Sequence, residues 1–264
     1  MANHLKIIED TLIKAGKILA RDYGEVENLQ VSRKGPGNFV TSSDLKIEKM
    51  LIDDFQRIFP SYSIMSEERG YISGTSDKFT FIIDPIDGTT NFMHGIPYFC
   101  ISVGLQEKLA NGKKQIVAAG IYAPALNELY LAEKGSGATV NRRRLTVSAR
   151  DNFEESSFAT YIAKYNLDRR KQDIESLSKF TTNVRILGSA AMELAFVAAG
   201  KLDGMWHCNL KPWDIAAGTL LVTEARGQIS EIDGGDNFLE SGSIIAANEH
   251  LFEKLRDIVA PCYK

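Results

Sequence analysis

The segment FIIDPIDGTTNF at residues 81–92 places the strongest constraint on how this chain folds. An apolar run typical of a buried strand leads directly into Asp84 and Asp87, with Pro85 and Ile86 between them. Two carboxylates this close repel each other, and burying them without a partner is unfavourable. Asp-Pro and Asp-Gly are also common turn dipeptides, so a solvated turn without function is the alternative.

The composition is that of a globular protein with room for a sizeable core. The chain has 264 residues, 44% of them hydrophobic and 25% charged, which suits one large domain or two lobes. Its net charge of −3 gives no overall attraction to nucleic acid or anionic membranes, so any phosphate must be held locally. Cys100, Cys208 and Cys262 lack CxxC spacing and predict reduced thiols in a cytoplasmic protein. No segment resembles a signal peptide or a membrane span.

Hydrophobic periodicity predicts a layered α/β fold with a different texture in each half. The first half contains predicted helices at about 5–24 and 43–59, a hairpin or loop at 31–41, and predicted strands at 62–66, 79–83, 98–105, 115–122 and 126–132. The second half alternates predicted helices at 168–177, 189–199, 214–225 and 248–259 with strands at 184–187, 228–232 and 243–247. We expect a largely antiparallel sheet first, an N-terminal lobe over 1–140 and a C-terminal lobe over 141–264.

Further carboxylates shift the balance towards a functional site. Glu67 and Glu68 end the strand that precedes residues 79–83, so a neighbouring pair of strands would bring one of them beside Asp84. Asp214, in KPWDIAAG, is at a predicted helix start, where a simple N-cap is the alternative. The segment DPIDGTTN contains no basic residue to neutralise these acids. Oxygen-only ligands without His or Cys at ligand spacing favour a hard divalent metal, most economically Mg²⁺.

The residues Gly88-Thr89-Thr90-Asn91 supply a second part of such a site. If a helical turn begins there, its first N–H groups and the positive end of its dipole favour a phosphate. Glycine at position 88 also lets a ligand approach the backbone closely. A metal on one side and amide donors on the other describe metal-assisted phosphoryl transfer.

Five short motifs resemble those of the inositol monophosphatase family, and in particular those of its bacterial SuhB-type branch. Members of this family are lithium-sensitive, Mg²⁺-dependent sugar phosphatases. The motifs are VTSSD at 40–44, SEER at 66–69, DPIDGTTNF at 84–92, LGSAA at 187–191 and WDIAAG at 213–218. They occur in the family's order and span nearly the whole chain. The resemblance implies an αβαβα sandwich, a homodimer, and hydrolysis of a small phosphomonoester, with myo-inositol 1-phosphate the leading candidate.

The resemblance also implies the metal ligands. Glu67, Asp84 and the backbone carbonyl of Ile86 would hold a first Mg²⁺. Asp84, Asp87 and Asp214 would hold a second, with Asp84 bridging the two ions. A third, weaker Mg²⁺ would contact Glu67 through water, and Glu68 is expected to remain outside this set.

The catalytic roles follow from the same resemblance. Thr89, paired with Asp44, would orient the attacking water and help to deprotonate it, with Glu67 nearby. The N–H groups of Gly88 and Thr89 would bind the phosphate. The alternative for Asp44 is an ordinary acidic residue in the first turn of a helix, and Lys34 would be either a gate on a mobile loop or an exposed lysine.

The substrate side departs from the family pattern at His207, where the family often has a glutamate that contacts inositol hydroxyls. An imidazole can still hydrogen-bond, so we expect His207→Glu to increase activity on inositol phosphate; the alternative is a half-buried histidine in the pocket wall. Arg185 would reach a second phosphate or, as we favour, form an interface salt bridge. The predicted substrate-binding set is Asp87, Gly88, Thr89, Arg185, Gly188, Ser189, Ala190, His207 and Asp214.

Other functions remain open from the sequence. Fructose 1,6-bisphosphate and histidinol phosphate are substrates of relatives, and histidinol phosphate would suit the missing glutamate. A binding role towards RNA or RNA polymerase is the alternative from another class. The basic run Arg142-Arg143-Arg144 would serve it, although such a run is usually a solvated hairpin tip.

Overall fold

The computed structural model describes residues 3–25, 31–35, 38–161 and 167–263. The helices are α1 (His4–Gly24), α2 (Ser42–Ile58), α3 (Thr89–Met93), α4 (Leu167–Ser178), α5 (Ala190–Ala198), α6 (Pro212–Glu224), α7 (Phe238–Ser241) and α8 (Phe252–Val259). Within these ranges, every helix is too short or too polar to cross a lipid bilayer.

Fifteen strands in the described part of the chain form three sheets. The first ten are β1 (Val31–Gly35), β2 (Asn38–Thr41), β3 (Ser63–Ser66), β4 (Gly70–Ile72), β5 (Phe79–Asp87), β6 (Cys100–Lys108), β7 (Lys114–Ala123), β8 (Glu128–Glu133), β9 (Gly137–Val140) and β10 (Arg143–Arg144). The remaining five are β11 (Phe158–Thr160), β12 (Val184–Arg185), β13 (Gly204–His207), β14 (Gln228–Ser230) and β15 (Ile244–Ala247).

Two of these sheets form the body of the fold. The larger has the order β10-β9-β8-β7-β6-β5-β3-β4, and its one parallel pair is β3 with β5. The smaller has the order β12-β11-β13-β15-β14 and mixes parallel with antiparallel pairs. Helices α1 and α2 cover one face of the larger sheet, α5 and α6 lie between the sheets, and α8 packs on the smaller one. These layers confirm the predicted αβαβα sandwich.

The amphipathic pattern of α1 and α2 explains the outer layer. Each helix buries one apolar stripe against the larger sheet, with Ile8 and Leu12 on α1 and Leu51 and Phe55 on α2. The ring of Phe55 stacks on Phe81 of β5 with centroids 4.1 Å apart. The outer layer therefore holds α2 directly against the strand that carries the aspartates.

The α6 helix of the middle layer is largely apolar around its axis because it contacts both sheets. Helix α6 buries an uninterrupted run from Ile215 to Val222. A Cβ atom added at Gly104 of β6 would lie 3.0 Å from the Cβ of Ala216, so glycine permits α6 to approach the sheet closely. This contact sets the height of α6 above β6.

Several predicted boundaries differ from the structure. The strand predicted at 79–83 continues to residue 87, because Asp84 and Asp87 pair with Ser102 and Cys100 of β6 through an irregularity in the register. The strand predicted at 184–187 ends at Arg185, and the last helix begins at Phe252 rather than at residue 248. The predicted hairpin at 31–41 forms β1 and β2, whereas the side chain of Lys34 lies outside the described part of the chain.

Candidate functional site

The polar end of β5 lies next to the end of its parallel neighbour β3. Ser66 is paired with Ile83, and the Glu67 N–H donates to the Ile83 carbonyl at 3.3 Å. The carboxyl ends of these parallel strands therefore place Glu67 beside Asp84, as the sequence predicted. The charge of Glu67 contributes to raising the pKa of Asp84, which agrees with this placement.

Three aspartates converge at this edge from distant parts of the chain. Asp84, Asp87 and Asp214 each present a carboxylate oxygen within 4.8 Å of the others. Asp84 is only 2% exposed, and its Oδ1 is buried without a hydrogen-bond partner. Among the described residues, Glu67 adds negative charge near this group without belonging to it. A buried carboxylate oxygen without a partner is rare in folded proteins, and this one is available as a ligand for a cation.

Local structure fixes the other two aspartates. One oxygen of Asp87 accepts hydrogen bonds from Ser189 Oγ and the Ala191 N–H, both at 2.6 Å. Asp214 is in the first turn of α6, where its Oδ2 accepts the Lys211 N–H at 2.7 Å. The N-cap of α6 is Lys211, so Asp214 is not the N-cap considered from the sequence but the third residue of the helix, whose side chain bonds back to the cap.

Burial and mutual repulsion disfavour the charged forms of the clustered carboxylates. Burial raises the pKa of Asp84 well above its usual range, with Glu67 and Asp87 adding to the effect. Burial likewise raises the pKa of Asp87 to about 6. Burial and the neighbouring Asp87 raise the pKa of Asp214 to about 8, although Lys211 opposes them. Carboxylates alone make up this donor set, which fits a hard divalent cation.

Asp44 and Thr89 lie together beside the cluster. Thr89 Oγ1 can donate to the Ile86 carbonyl at 2.9 Å or to Asp44 Oδ1 at 3.4 Å, but to only one of them at a time. Asp44 is buried on α2, where its Oδ2 accepts from the N–H of Thr41 at 2.8 Å. Burial raises the pKa of Asp44 to about 6 despite these hydrogen bonds. Both the helix-terminal role and the contact with Thr89 are therefore present.

The turn after β5 requires glycine at position 88. Gly88 has φ +88°, and a Cβ atom there would lie 2.9 Å from the Tyr98 carbonyl. Helix α3 begins at Thr89, and the Phe92 N–H is bonded to the Gly88 carbonyl. The first N–H groups of the helix are therefore not used within it. Asn91 Nδ2 donates to the carbonyls of Tyr98 and Leu187 and ties α3 to the segment before α5.

The predicted substrate residues occupy different environments. Ser189 and Ala190 lie at the start of α5, immediately after Gly188, which has φ +83°. Arg185 lies exposed on the edge strand β12, where its Nη1 donates to the Val184 carbonyl at 3.3 Å. The structure thus brings the α5 start to Asp87 through Ser189 and leaves the Arg185 guanidinium on the sheet edge.

His207 lies deeper than the half-buried position considered from the sequence. It is 2% exposed on β13, and its Nε2 lies 2.6 Å from Glu193 Oε2 of α5. Tyr161 stacks over its ring with centroids 6.1 Å apart. His207 Nδ1, Glu193 Oε1 and Tyr98 Oη are buried without hydrogen-bond partners. This second set of unpartnered atoms indicates a polar region on the α5 side of Asp87, since Glu193 and His207 both act on the pKa of Asp87.

Glu193 was missed by sequence reasoning, and a signal for it existed. It is the only charged residue in the α5 sequence AAMELAFVA. A carboxylate in an otherwise apolar, buried helix needs a partner, which indicates a polar residue on a facing element. The strand that carries the partner, β13, was not predicted.

A separate cavity of about 690 Å³ is lined in part by α6 and α7. Its charged rim pairs internally, with Lys113 Nζ 3.0 Å from Asp236 and Lys114 Nζ 3.9 Å from Glu240. None of the clustered aspartates lines it. The chemistry of the described residues therefore points to the carboxylate cluster.

This chain is similar to known proteins along nearly its whole length. A sequence model of the inositol monophosphatase family matches residues 1–261. An inositol-1-monophosphatase of Rhizobium meliloti is 42% identical over 258 residues, covering 97% of this chain and 95% of the relative. The Nus factor SuhB of Escherichia coli K12 is 36% identical over 245 residues, covering 92% and 90%.

The fold has a close counterpart among solved structures. The extragenic suppressor protein suhB of Bartonella henselae superimposes with a TM-score of 0.92 at 41% identity, covering 96% of this chain and 97% of that one. The similarity thus extends through both sheets and all the segments that contribute carboxylates.

Proposed function

Because this chain belongs to the inositol monophosphatase family and is a phosphoric monoester hydrolase, we propose that it converts myo-inositol 1-phosphate to inositol and phosphate in a Mg²⁺-dependent reaction. The observation that carries the proposal is the convergence of Asp84, Asp87 and Asp214, with one buried oxygen of Asp84 lacking a partner. A bound cation would neutralise the repulsion between these carboxylates while all of them remain ionised, whereas without one they hold protons instead.

The residues that would hold the metal are those of the cluster and its neighbours. They are Glu67, Asp84, the Ile86 carbonyl, Asp87 and Asp214. When bound, Mg²⁺ supplies charge neutralisation for the phosphoryl group, activation of water and stabilisation of the leaving oxygen. Carboxylate and carbonyl oxygens are the ligands that this ion prefers, and two to three ions per site are proposed.

Thr89 and Asp44 would handle the proton of the attacking water. Thr89 Oγ1 would accept a hydrogen bond from that water while it donates its own hydrogen bond to Asp44, 3.4 Å away. The Asp44 pKa of about 6 suits a group that accepts a proton near neutral pH. Glu67 would face the same water, and the N–H groups of Gly88 and Thr89 would bind the phosphate oxygens.

The polyol would lie between α3 and α5. Gly188, Ser189 and Ala190 would line it, and Asp87 and Asp214 would contact its hydroxyl groups. His207 would form part of the pocket wall through its pair with Glu193. Histidinol phosphate remains the alternative substrate. Fructose 1,6-bisphosphate is less favoured, since Arg185 bonds to its own strand edge.

A phosphate-release assay over a panel of sugar and polyol phosphates tests the proposal. We expect release from myo-inositol 1-phosphate with Mg²⁺ and none in excess EDTA. Asp87→Asn is the matched variant, because it removes one ligand charge while preserving shape. Absence of Mg²⁺-dependent release from every phosphomonoester in the panel would disprove the enzyme proposal. Inhibition by lithium, a homodimer, a cytoplasmic location and the two-lobe division remain predictions.

A transcription-related binding role is the second candidate. Several relatives carry the name Nus factor SuhB, and Arg142, Arg143 and Arg144 are exposed around the turn between β9 and β10. Such a cluster is a small electrostatic surface for RNA. An RNA polymerase or RNA pull-down that survives Asp87→Asn but is lost when the three arginines become alanine would separate this role from catalysis.

A further inference from the structure

Glu48 of α2 is a fully buried carboxylate that the proposed reaction does not use. Its exposure is 0%, and its Oε1 accepts the N–H groups of Glu68 at 2.9 Å and Arg69 at 3.2 Å. Its Oε2 makes no hydrogen bond and lies 3.6 Å from Arg69 Nε. A buried charge is retained only where such partners hold it.

The two amides belong to the turn that carries Glu67. This turn is three residues long, between the end of β3 at Ser66 and the start of β4 at Gly70. One end is fixed to β5, because the Glu67 N–H donates to the Ile83 carbonyl. The other end is fixed by Glu48. The backbone on both sides of the Glu67 side chain is thus held by hydrogen bonds.

Glu48 shares its helix face with Asp44, one turn earlier. Asp44 is in contact with Thr89, whereas Glu48 holds the Glu67 turn. Helix α2 in turn begins at a capping box between Thr41 and Asp44. One rigid helix therefore sets the distance between the turn of Glu67 and the start of α3.

We propose that Glu48 is a positioning residue that holds Glu67 in the geometry needed to bind metal. The proposal rests on the proposed function, because it gives the Glu67 carboxylate a metal to bind. Its physical basis is that a carboxylate oxygen accepting hydrogen bonds from two backbone N–H groups restricts the turn more tightly than packing alone. The competing interpretation is that Glu48 stabilises the fold and has no effect on the metal.

Binding of Mn²⁺, followed by electron paramagnetic resonance on the full chain, separates these interpretations. Glu48→Leu keeps the side-chain volume but removes the acceptor, and we expect the Mn²⁺ dissociation constant to rise by about 10- to 100-fold. Glu48→Gln keeps a carbonyl oxygen for both amides and should bind Mn²⁺ within about threefold of wild type. Ile52→Ala, a buried apolar truncation one turn further along α2, controls for general loosening of the helix.

The outcomes are distinct. A folded Glu48→Leu protein with wild-type Mn²⁺ affinity, or an equal loss in Ile52→Ala, would overturn the proposal. If Glu48→Leu does not fold, Glu48→Asp takes its place, since the shorter side chain withdraws the acceptor; wild-type affinity there would overturn the proposal as well. A wild-type protein that binds no Mn²⁺ would instead contradict the proposed function.

Discussion

On the α2 side of the carboxylate cluster, Asp44 and Glu48 bond to backbone N–H groups, whereas on the α5 side Glu193 bonds to the imidazole of His207. Both sides consist of buried polar side chains, yet they leave different atoms unsatisfied. The α2 side leaves Glu48 Oε2, which faces Arg69. The α5 side leaves one atom on each member of its pair and a third on Tyr98.

The difference in hydrogen-bond partners suggests that the two sides of the cluster have different tasks. Backbone N–H groups are fixed in position, so the α2 side defines one geometry for Glu67 and Thr89. A side-chain pair can be replaced without moving the backbone, so the α5 side is where the chemistry of the pocket can change. Under the proposed function, the first side would serve the reaction and the second would set substrate preference.

The largest expected effect concerns Asp84, which both sides share. Asp84→Asn should reduce phosphate release by on the order of 1,000-fold, because it removes the charge at the centre of the cluster. The metal-free variant should nevertheless be more stable than wild type in thermal unfolding, since burial, Glu67 and Asp87 all disfavour the charged carboxylate. The exposed Asp151→Asn is the control. Retained activity, or lower metal-free stability, would show that Asp84 is not the bridging charge.

The next effect tests the α2 side alone. Thr89→Val keeps the shape of the side chain but lacks the hydroxyl that lies near Asp44, and kcat should fall by about 100-fold with little change in KM. Thr89→Ser should recover most of the rate because it restores the hydroxyl. Thr182→Val, at an exposed position, controls for the threonine-to-valine change itself. Equal rates for Thr89→Val and Thr89→Ser would remove the hydroxyl from the mechanism.

The α5 side is tested by exchanging its pair. His207→Glu alone places a second carboxylate against Glu193 and should lower the free energy of unfolding by about 3–5 kcal/mol. The double variant Glu193→Gln with His207→Glu restores a neutral donor and should recover most of that stability. Urea unfolding measures the stability of both variants. Phosphate release by the double variant then shows whether activity on inositol phosphate increases. A wild-type free energy of unfolding for His207→Glu alone would mean that residue 207 and Glu193 do not interact energetically.

The smallest effect is the pH dependence of metal binding. Asp87 and Asp214 have pKa values of about 6 and about 8, both above the value of an unfolded aspartate. The folded, metal-free protein therefore binds more protons than the unfolded chain, so their contribution to stability is complete below about pH 4 and is lost as the pH rises through 6 to 8. Mg²⁺ must displace those protons, and its affinity should be about sixfold weaker at pH 7 than at pH 8 by calorimetry. An affinity that falls with rising pH would contradict the pKa assignments.

Sequence reasoning succeeded where function follows from neighbouring strand ends. Glu67 and Asp84 were predicted to be adjacent because apolar runs mark β3 and β5, and each run stops at a carboxylate. The extension of β5 to Asp87 was missed, because an Asp-Pro-Ile-Asp segment is typical of a turn and only pairing with β6 keeps it extended. Tertiary pairing overrode the local preference here.

The supporting carboxylates were harder to predict. Glu48 lies between Ile47 and Lys49 in a helix rich in charge, where nothing local distinguishes it from an exposed glutamate. Its burial depends on the turn at residues 67–69 folding over α2. The depth of His207 likewise depends on β13, whose four residues contain no turn or alternation signal of their own. Such contacts become visible only after the layers are assembled.

The close approach of α6 to Gly104 has a consequence far from the reacting groups. Asp214 is carried by the first turn of a helix whose height above β6 is determined at Ala216, two residues later. A methyl group at position 104 would require Ala216 to move by a few tenths of an ångström, and Asp214 is carried by the same helix. If the proposed metal site is correct, a change in the spacing between the sheet and α6 would weaken ion binding although every proposed ligand is intact.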